Sequence, residues 1–373
     1  MPLTELSFLG LVATALITAL LISFVATPVV KSLAQKVGAV DVPKDGRRMH
    51  DHPIPRMGGL AIFLGFTLAV LVFADLTRQL QGMLLGAVII VVLGIFDDIY
   101  ALRASFKFVV QIIAALVAVL YGGNVISVLS NPNIFSSNPW WVLGPLSIPV
   151  TVLWIVAITN AVNLIDGLDG LAVGVSTISS MTLLVIALTV ADWEVAVLMG
   201  ALAGACIGFM PYNLNPAKIF MGDTGSTFLG FVLAVVSIQG LFKFYTIISF
   251  AVPFLMLGLP IFDTAFAFIR RIAHGQNPMS PDRSHVHHRL IDMGFNQKQA
   301  VAVLYVISAI LGLSAVVLTT SGALKAMMLL LALCAAGAVS ARLFWGNNNG
   351  KNHPDEPRKN TPEAKPDGGE DKP

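Results

Sequence analysis

LQGMLLGAVIIVVLGIFDDIY, Leu80 to Tyr100, is the stretch that decides the fold. From Leu80 to Phe96 it carries no charged side chain. A helix needs about 20 mostly apolar residues to cross a bilayer, so 80–97 reads as a transmembrane helix. It closes on two adjacent carboxylates, Asp97 and Asp98. Acids at a helix C-terminus oppose the macrodipole, so the placement costs energy, which favours a functional reading over solvated surface.

The same apolar pattern recurs along the chain. Eleven candidate spans lie near 6–30, 57–74, 80–97, 106–122, 145–163, 170–190, 194–211, 225–240, 245–268, 299–319 and 323–344. Composition agrees: the 373 residues are 56% hydrophobic and only 12% charged, and mean hydropathy is +0.80. A soluble domain carries about twice that charge. The expected fold is an all-α polytopic membrane protein of about 11 transmembrane helices. The first span lacks a basic leader and is long enough to cross, so it reads as a helix rather than a cleavable signal. Lys and Arg concentrate on one side when the N-terminus is placed outside. That side holds Lys31, Lys36, Lys44, Arg47, Arg48, Arg56, Arg103, Lys107, Lys218, Arg270, Arg271, Arg283, Arg289 and Lys298, whereas the other holds Arg78, Lys243 and Lys325. The N-terminus is therefore expected outside and the C-terminus in the cytoplasm. Residues 1–345 form the expected catalytic membrane domain, and the polar, Pro- and Gly-rich stretch 346–373 a disordered cytoplasmic tail. Cys206 and Cys334 sit in apolar runs and read as small buried residues.

Acids, amides and histidines fall on the inner side of this topology. Asp97-Asp98 end the third span. Asn160, Asn163, Asp166 and Asp169 follow the fifth in TNAVNLIDGLDGL, 159–171. Asp223 precedes the eighth in KIFMGDTGS, 218–226. Three-residue steps put Asn163, Asp166 and Asp169 on one side of a helical turn, although Asp-Gly is also a turn signal. Asp223 or Thr224 would cap the eighth helix, and its two glycines would let a phosphate approach backbone N–H groups at the helix start. Asp263, an acid in an apolar run, is expected to be functional or paired. The loop SPDRSHVHHRL, 280–290, carries Arg283, His285, His287, His288 and Arg289. It lacks the separated ligand pairs of a zinc site; a patch against anionic lipid is its plain alternative. Several carboxylates at one face suit a hard cation such as Mg²⁺ shared with substrate phosphates.

The ordered set RMGG (56–59), FDDIY (96–100), NAVNLIDGLDGL (160–171), FMGDTGST (220–227) and SPDRSHVHHRL (280–290) resembles the polyprenyl-phosphate N-acetylhexosamine-1-phosphate transferase family over about 30–310. That family includes the enzymes that start wall teichoic acid and O-antigen synthesis and the muramoyl-pentapeptide transferase of peptidoglycan. Val286 interrupts the histidine row, and PRMGG stands where the muramoyl branch has a TPTMGG-like form. Both features are similar to the N-acetylglucosamine branch, nearest the teichoic-acid-linkage type.

The resemblance implies an enzyme that moves GlcNAc-1-phosphate from UDP-GlcNAc to undecaprenyl phosphate at the inner membrane of a bacterium, releasing UMP. It implies Mg²⁺, with Mn²⁺ as the alternative ion, held by Asp223. Asp97, Asp98 and Asp166 become the catalytic carboxylates, with Asp97 or Asp98 taking a proton from the lipid phosphate. Lys107 would hold a phosphate, Asn163 and Asp169 would shape the nucleotide-sugar site, and Arg283, His285, His287 and His288 would grip the diphosphate. The expected partners are UDP-GlcNAc, undecaprenyl phosphate and membrane lipid, with a second copy of the chain as a further candidate and no nucleic acid. Two alternatives stay open at this point: the same chemistry on UDP-MurNAc-pentapeptide or another UDP-HexNAc, and a transporter of nucleotide sugars or anions.

Overall fold

The computed structural model describes residues 5–43, 52–130, 140–240, 248–275 and 285–321, and residue 325. Twelve α-helices occur in these residues. They are α1 (Glu5–Val37), α2 (Gly59–Phe73), α3 (Arg78–Tyr100), α4 (Ala104–Leu116), α5 (Ser147–Leu164), α6 (Leu171–Thr189), α7 (Trp193–Asn213), α8 (Gly222–Gly240), α9 (Ile248–Met256), α10 (Gly258–Ala273), α11 (Val286–Asp292) and α12 (Gln297–Ser321). A π-helical turn, Val117–Tyr121, prolongs α4. Two short antiparallel pairs complete the set: β1 (Val40–Asp41) with β2 (Ile54–Pro55), and β3 (Val128–Ser130) with β4 (Trp140–Val142).

Seven helices among the described residues are long and apolar enough to cross a membrane. The all-α polytopic expectation holds. Ten expected spans overlap observed helices; the eleventh, 323–344, falls outside the described residues apart from Lys325, and the tail and Cys334 do so entirely. The ninth span is divided, which hydropathy did not reveal. Pro260 has no N–H to give Met256, and its ring crowds that carbonyl. The freed Met256 oxygen accepts from Ser179 Oγ at 2.8 Å. The helix therefore breaks at Leu257 into α9 and α10.

The bundle is organised around α8, whose side chains are buried without a gap from Thr224 to Gly240. A helix that is apolar all round belongs inside, and α8 packs on α2, α3, α5 and α6. At the other extreme, α1 presents Leu9, Ile17, Leu21, Val25 and Val29 outward, as a lipid-facing helix must. Its other face meets Gly204 and Gly208 of α7, where a Cβ would overlap the main chain of Leu16 and Leu20. Small residues allow such close helix contact where lipid offers no hydrophobic driving force. The same device brings α2 and α3 against the start of α8: Gly59 backs onto Gly225, and Gly94 onto Thr224.

Candidate active site

The ends of α3, α5 and α7 and the starts of α4, α6 and α8 meet at one end of the bundle. A cleft of about 410 Å³ opens there, walled in part by the end of α5 and the turn after it, the end of α7 and the start of α8. Its walls include Arg56, Asn163, Asp166, Asp169, Asp223 and His288.

Asp98 is buried and ties this end together. It accepts from the Asp223 backbone N–H at 3.0 Å, the Thr224 N–H at 3.1 Å and the Thr224 hydroxyl at 2.6 Å. Arg56 Nε donates to it at 3.2 Å. A carboxylate has about four acceptor sites, so Asp98 is fully engaged. It caps α8 from another helix, satisfying donors that a helix start leaves free. The sequence reading gave this task to Asp223 or Thr224. Instead Asp223 lies in the first helical turn, its carboxylate turned to the cleft. The energetic objection to acids at the end of α3 is met here: the positive end of α8 faces them.

Asp97 accepts from the Leu102 N–H at 2.7 Å and from Lys107 at 2.9 Å. Lys107 also donates to Asp223 at 2.8 Å. One ammonium thus bridges two carboxylates from α3 and α8. The structure does not place Asp97 or Asp98 on the cleft wall; they stand behind Asp223 and fix it.

Across the cleft, Asn163 ends α5 and donates to Ser226 Oγ at 2.8 Å. Asp169 accepts from Asn215 Nδ2 at 2.9 Å and the Ala217 N–H at 3.0 Å, which orders the turn before α8. Asp166 differs from these, because its carboxylate accepts no hydrogen bond from the described residues. Burial pushes its carboxyl up to about 8, and the negative charges of Asp223, Asp98 and Asp169 act in the same direction. Ionised Asp166 is short of compensating charge.

The three histidines part company. His285 Nδ1 pairs with buried Asp263 Oδ2 at 2.8 Å, and Asp263 Oδ1 accepts the Val286 N–H at 2.8 Å, fastening α11 to α10. Asp263 is thus paired with a histidine. His287 is buried, and its ring sits on Gly167, leaving no room there for a Cβ. Burial holds its imidazole down to about 4, so it is neutral at pH 7. Only His288 of the three lines the cleft. The expectation that all three grip a substrate diphosphate is therefore corrected for His285 and His287, whose rings are used to seat α11. Arg283 lies outside the described residues. Residues that sequence reasoning passed over also line the cleft: Arg56, Asp41, Asn213, Phe220 and Gln297. RMGG already contained Arg56, but a basic residue in a basic loop gave no signal of its own.

The donor set suits a hard divalent cation. Asp166 supplies an unpartnered carboxylate, and Asp169 and Asp223 share the wall. Among the described residues no group of three or more His, Cys, Asp or Glu side chains forms a ready cage. Mg²⁺ takes one or two carboxylates and completes its shell with waters and substrate phosphates, so Asp166 and Asp223 would be enough to hold it.

Comparison with known proteins gives the family. The sequence profile of Glycosyl transferase family 4 matches residues 80–241. A probable undecaprenyl-phosphate N-acetylglucosaminyl 1-phosphate transferase of Bacillus subtilis (strain 168) is 45% identical over 315 residues, 83% of this chain and 86% of that protein. A decaprenyl-phosphate N-acetylglucosaminephosphotransferase of Mycolicibacterium smegmatis is 36% identical, covering 82% of this chain and 80% of its own. An undecaprenyl-phosphate alpha-N-acetylglucosaminyl 1-phosphate transferase of Yersinia pestis is 29% identical, over 82% of this chain and 84% of its own.

Proposed function

Since the chain belongs to the polyprenyl-phosphate N-acetylglucosamine-1-phosphate transferases of glycosyl transferase family 4, we propose the following account of its reaction. The protein transfers GlcNAc-1-phosphate from UDP-GlcNAc to undecaprenyl phosphate and releases UMP. A lipid phosphate oxygen forms a bond to the β-phosphorus, and the bond from that phosphorus to the bridging oxygen breaks. UMP leaves with its electrons. A phosphate monoester has its second ionisation near 6, so at neutral pH the acceptor is mostly a dianion. It needs no proton acceptor, and Asp97 and Asp98 are left to position Asp223.

Phosphoryl transfer depends on positioning and charge stabilisation more than on covalent chemistry. Mg²⁺, or Mn²⁺ in its place, would be held by Asp223 and Asp166 and would neutralise charge on the diphosphate. Lys107 keeps Asp223 from swinging away, Asn163 and Asp169 shape the donor's seat, and His288 faces the diphosphate. The acceptor's chain has a fitting place as well. An almost wholly apolar groove of about 620 Å³ runs between α5 and α10, past Leu153, Trp154, Ile158, Phe254 and Phe268 to Ala161. Ala161 lies two residues before Asn163 in α5, on the opposite side of that helix.

The observation that carries this reading is the meeting of Asp98, Asp223 and Lys107, from three helices, at one hydrogen-bonded point. The Lys and Arg distribution favours the cytoplasmic side for that end, and the bacterial inner membrane is the location that goes with this reading. Val286 and PRMGG favour UDP-GlcNAc over the muramoyl donor, and teichoic acid as the polymer begun. Purified protein with UDP-GlcNAc, undecaprenyl phosphate and Mg²⁺ should release UMP only when the lipid is present. Asp223→Ala should abolish release while leaving the melting curve in place. Lipid-independent UMP release, or unchanged turnover in Asp223→Ala, would remove the assignment; nucleotide-sugar uptake into vesicles without UMP would favour a transporter.

A further inference from the structure

We propose that Arg56 contacts the donor's diphosphate directly and makes the cleft discriminate a nucleotide from its nucleoside; this rests on the reading above. The cleft wall carries four carboxylates, Asp41, Asp166, Asp169 and Asp223. Such a wall repels a diphosphate unless fixed positive charge faces it as well. Lys107 cannot be that charge alone, because its ammonium already serves Asp97 and Asp223. Among the described residues, Arg56 is the one Lys or Arg on the wall.

Its bonding leaves it available. Arg56 Nε donates to Asp98, and its two terminal nitrogens have no partner among the described residues. The side chain is 30% exposed, against 0% for Asp98 behind it. A guanidinium held at one edge by a carboxylate presents the other edge as a fork that matches phosphate oxygens.

The backbone fixes where that fork points. The Arg56 N–H donates to the Ala39 carbonyl at 2.9 Å. On the other side, Phe220 N–H donates to Pro55, Gly58 N–H to Phe220 and Gly59 N–H to Met221, at 2.8 to 2.9 Å. Between Arg56 and Gly58, buried Met57 adopts φ +95°. A non-glycine residue in such a conformation is strained and persists only where its surroundings over-determine it. Here the strained residue turns the chain so that Arg56 enters the cleft while Met57 enters the core. Arg56 and Asp223 are thereby linked through Asp98, a guanidinium and a carboxylate on one rigid frame.

The test compares UMP with uridine as probes of purified protein in Mg²⁺ buffer, by calorimetry or ligand-induced melting shift. Arg56→Gln should weaken UMP binding about tenfold to a hundredfold, the range for one charge-assisted contact, and leave uridine within about twofold. Arg56→Lys, which keeps the charge and loses the fork, should fall between and also serves if the Gln variant does not fold. Equal losses for UMP and uridine would mean that Arg56 only supports Asp98, and would overturn the proposal. So would an unchanged ratio in both variants. Failure of the wild-type chain to bind UMP or release it would instead overturn the transferase reading itself.

Discussion

Replacing Gly58 with alanine tests how tightly the cleft depends on its frame. A Cβ on Gly58 would lie 2.6 Å from two ring atoms of Phe209 and 2.7 Å from the Phe220 carbonyl oxygen. Ordinary contact begins near 3.4 Å, so something must move by about 0.7 Å. Phe209 is fully buried and cannot swing into solvent. Phe220 oxygen accepts the Gly58 N–H at 2.9 Å, so the strand-like segment carrying Arg56 must lift off. Overpacking of this kind costs about 1–3 kcal/mol, and weakening the hydrogen bond adds about 0.5–1.5 kcal/mol. A 1 Å misplacement can cost about a hundredfold in rate, so turnover should drop about tenfold to a hundredfold. The assay is UMP release alongside a melting curve in the same detergent. Gly10→Ala is the control, because a Cβ there meets nothing within 4 Å. Wild-type turnover in Gly58→Ala, with the melting point unchanged, would refute the claim that this segment is held in close register against 220–221.

Two further perturbations follow from the same geometry. Gly167→Ala puts a methyl group where the His287 ring sits, so α11 and His288 should shift and the KM for UDP-GlcNAc should rise severalfold; unchanged kinetics would show that α11 does not set the cleft wall. Asp166 carries a folded-state carboxyl at about 8 against an ordinary 3.8, so the folded chain holds a proton that the unfolded chain has lost. Stability without divalent cation should be full below about pH 4 and fall as pH rises toward about 8, by at most about 1.4 kcal/mol per unit. Asp166→Asn should flatten melting temperature against pH in chelator; a slope identical to wild type would contradict the unpartnered environment assigned to Asp166.

Hydropathy made the membrane class and the positions of most of the described helices legible, because a bilayer leaves few solutions for an apolar segment of helical length. Motif order made the acids legible as one site. What hydropathy cannot carry is which side chain partners which. Asp97, Asp98 and Asp223 were separated in sequence only by the roles the resemblance implies. Three-dimensional contact gives them different tasks: Asp98 saturated by the start of α8, Asp97 held by Lys107, Asp223 open to the cleft. The histidines diverge for a similar reason, since Asp263 and Gly167 lie far from them in the chain and claim His285 and His287. The break at Leu257 depended on one missing N–H, at Pro260, within an otherwise uniform apolar run. Arg56 stayed hidden because its signal is positional: it needs the turned backbone at Met57 and the carboxylate of Asp98 to acquire a direction.

The central claim is that phosphorus moves together with the sugar. UDP-GlcNAc carrying radioactive phosphorus only in the β position, incubated with purified protein, undecaprenyl phosphate and Mg²⁺, reads this directly after lipid extraction. The account predicts label in the lipid phase and unlabelled UMP in water. Label remaining in water as UDP, with an unlabelled sugar on the lipid, would mean attack at carbon rather than phosphorus and would contradict it.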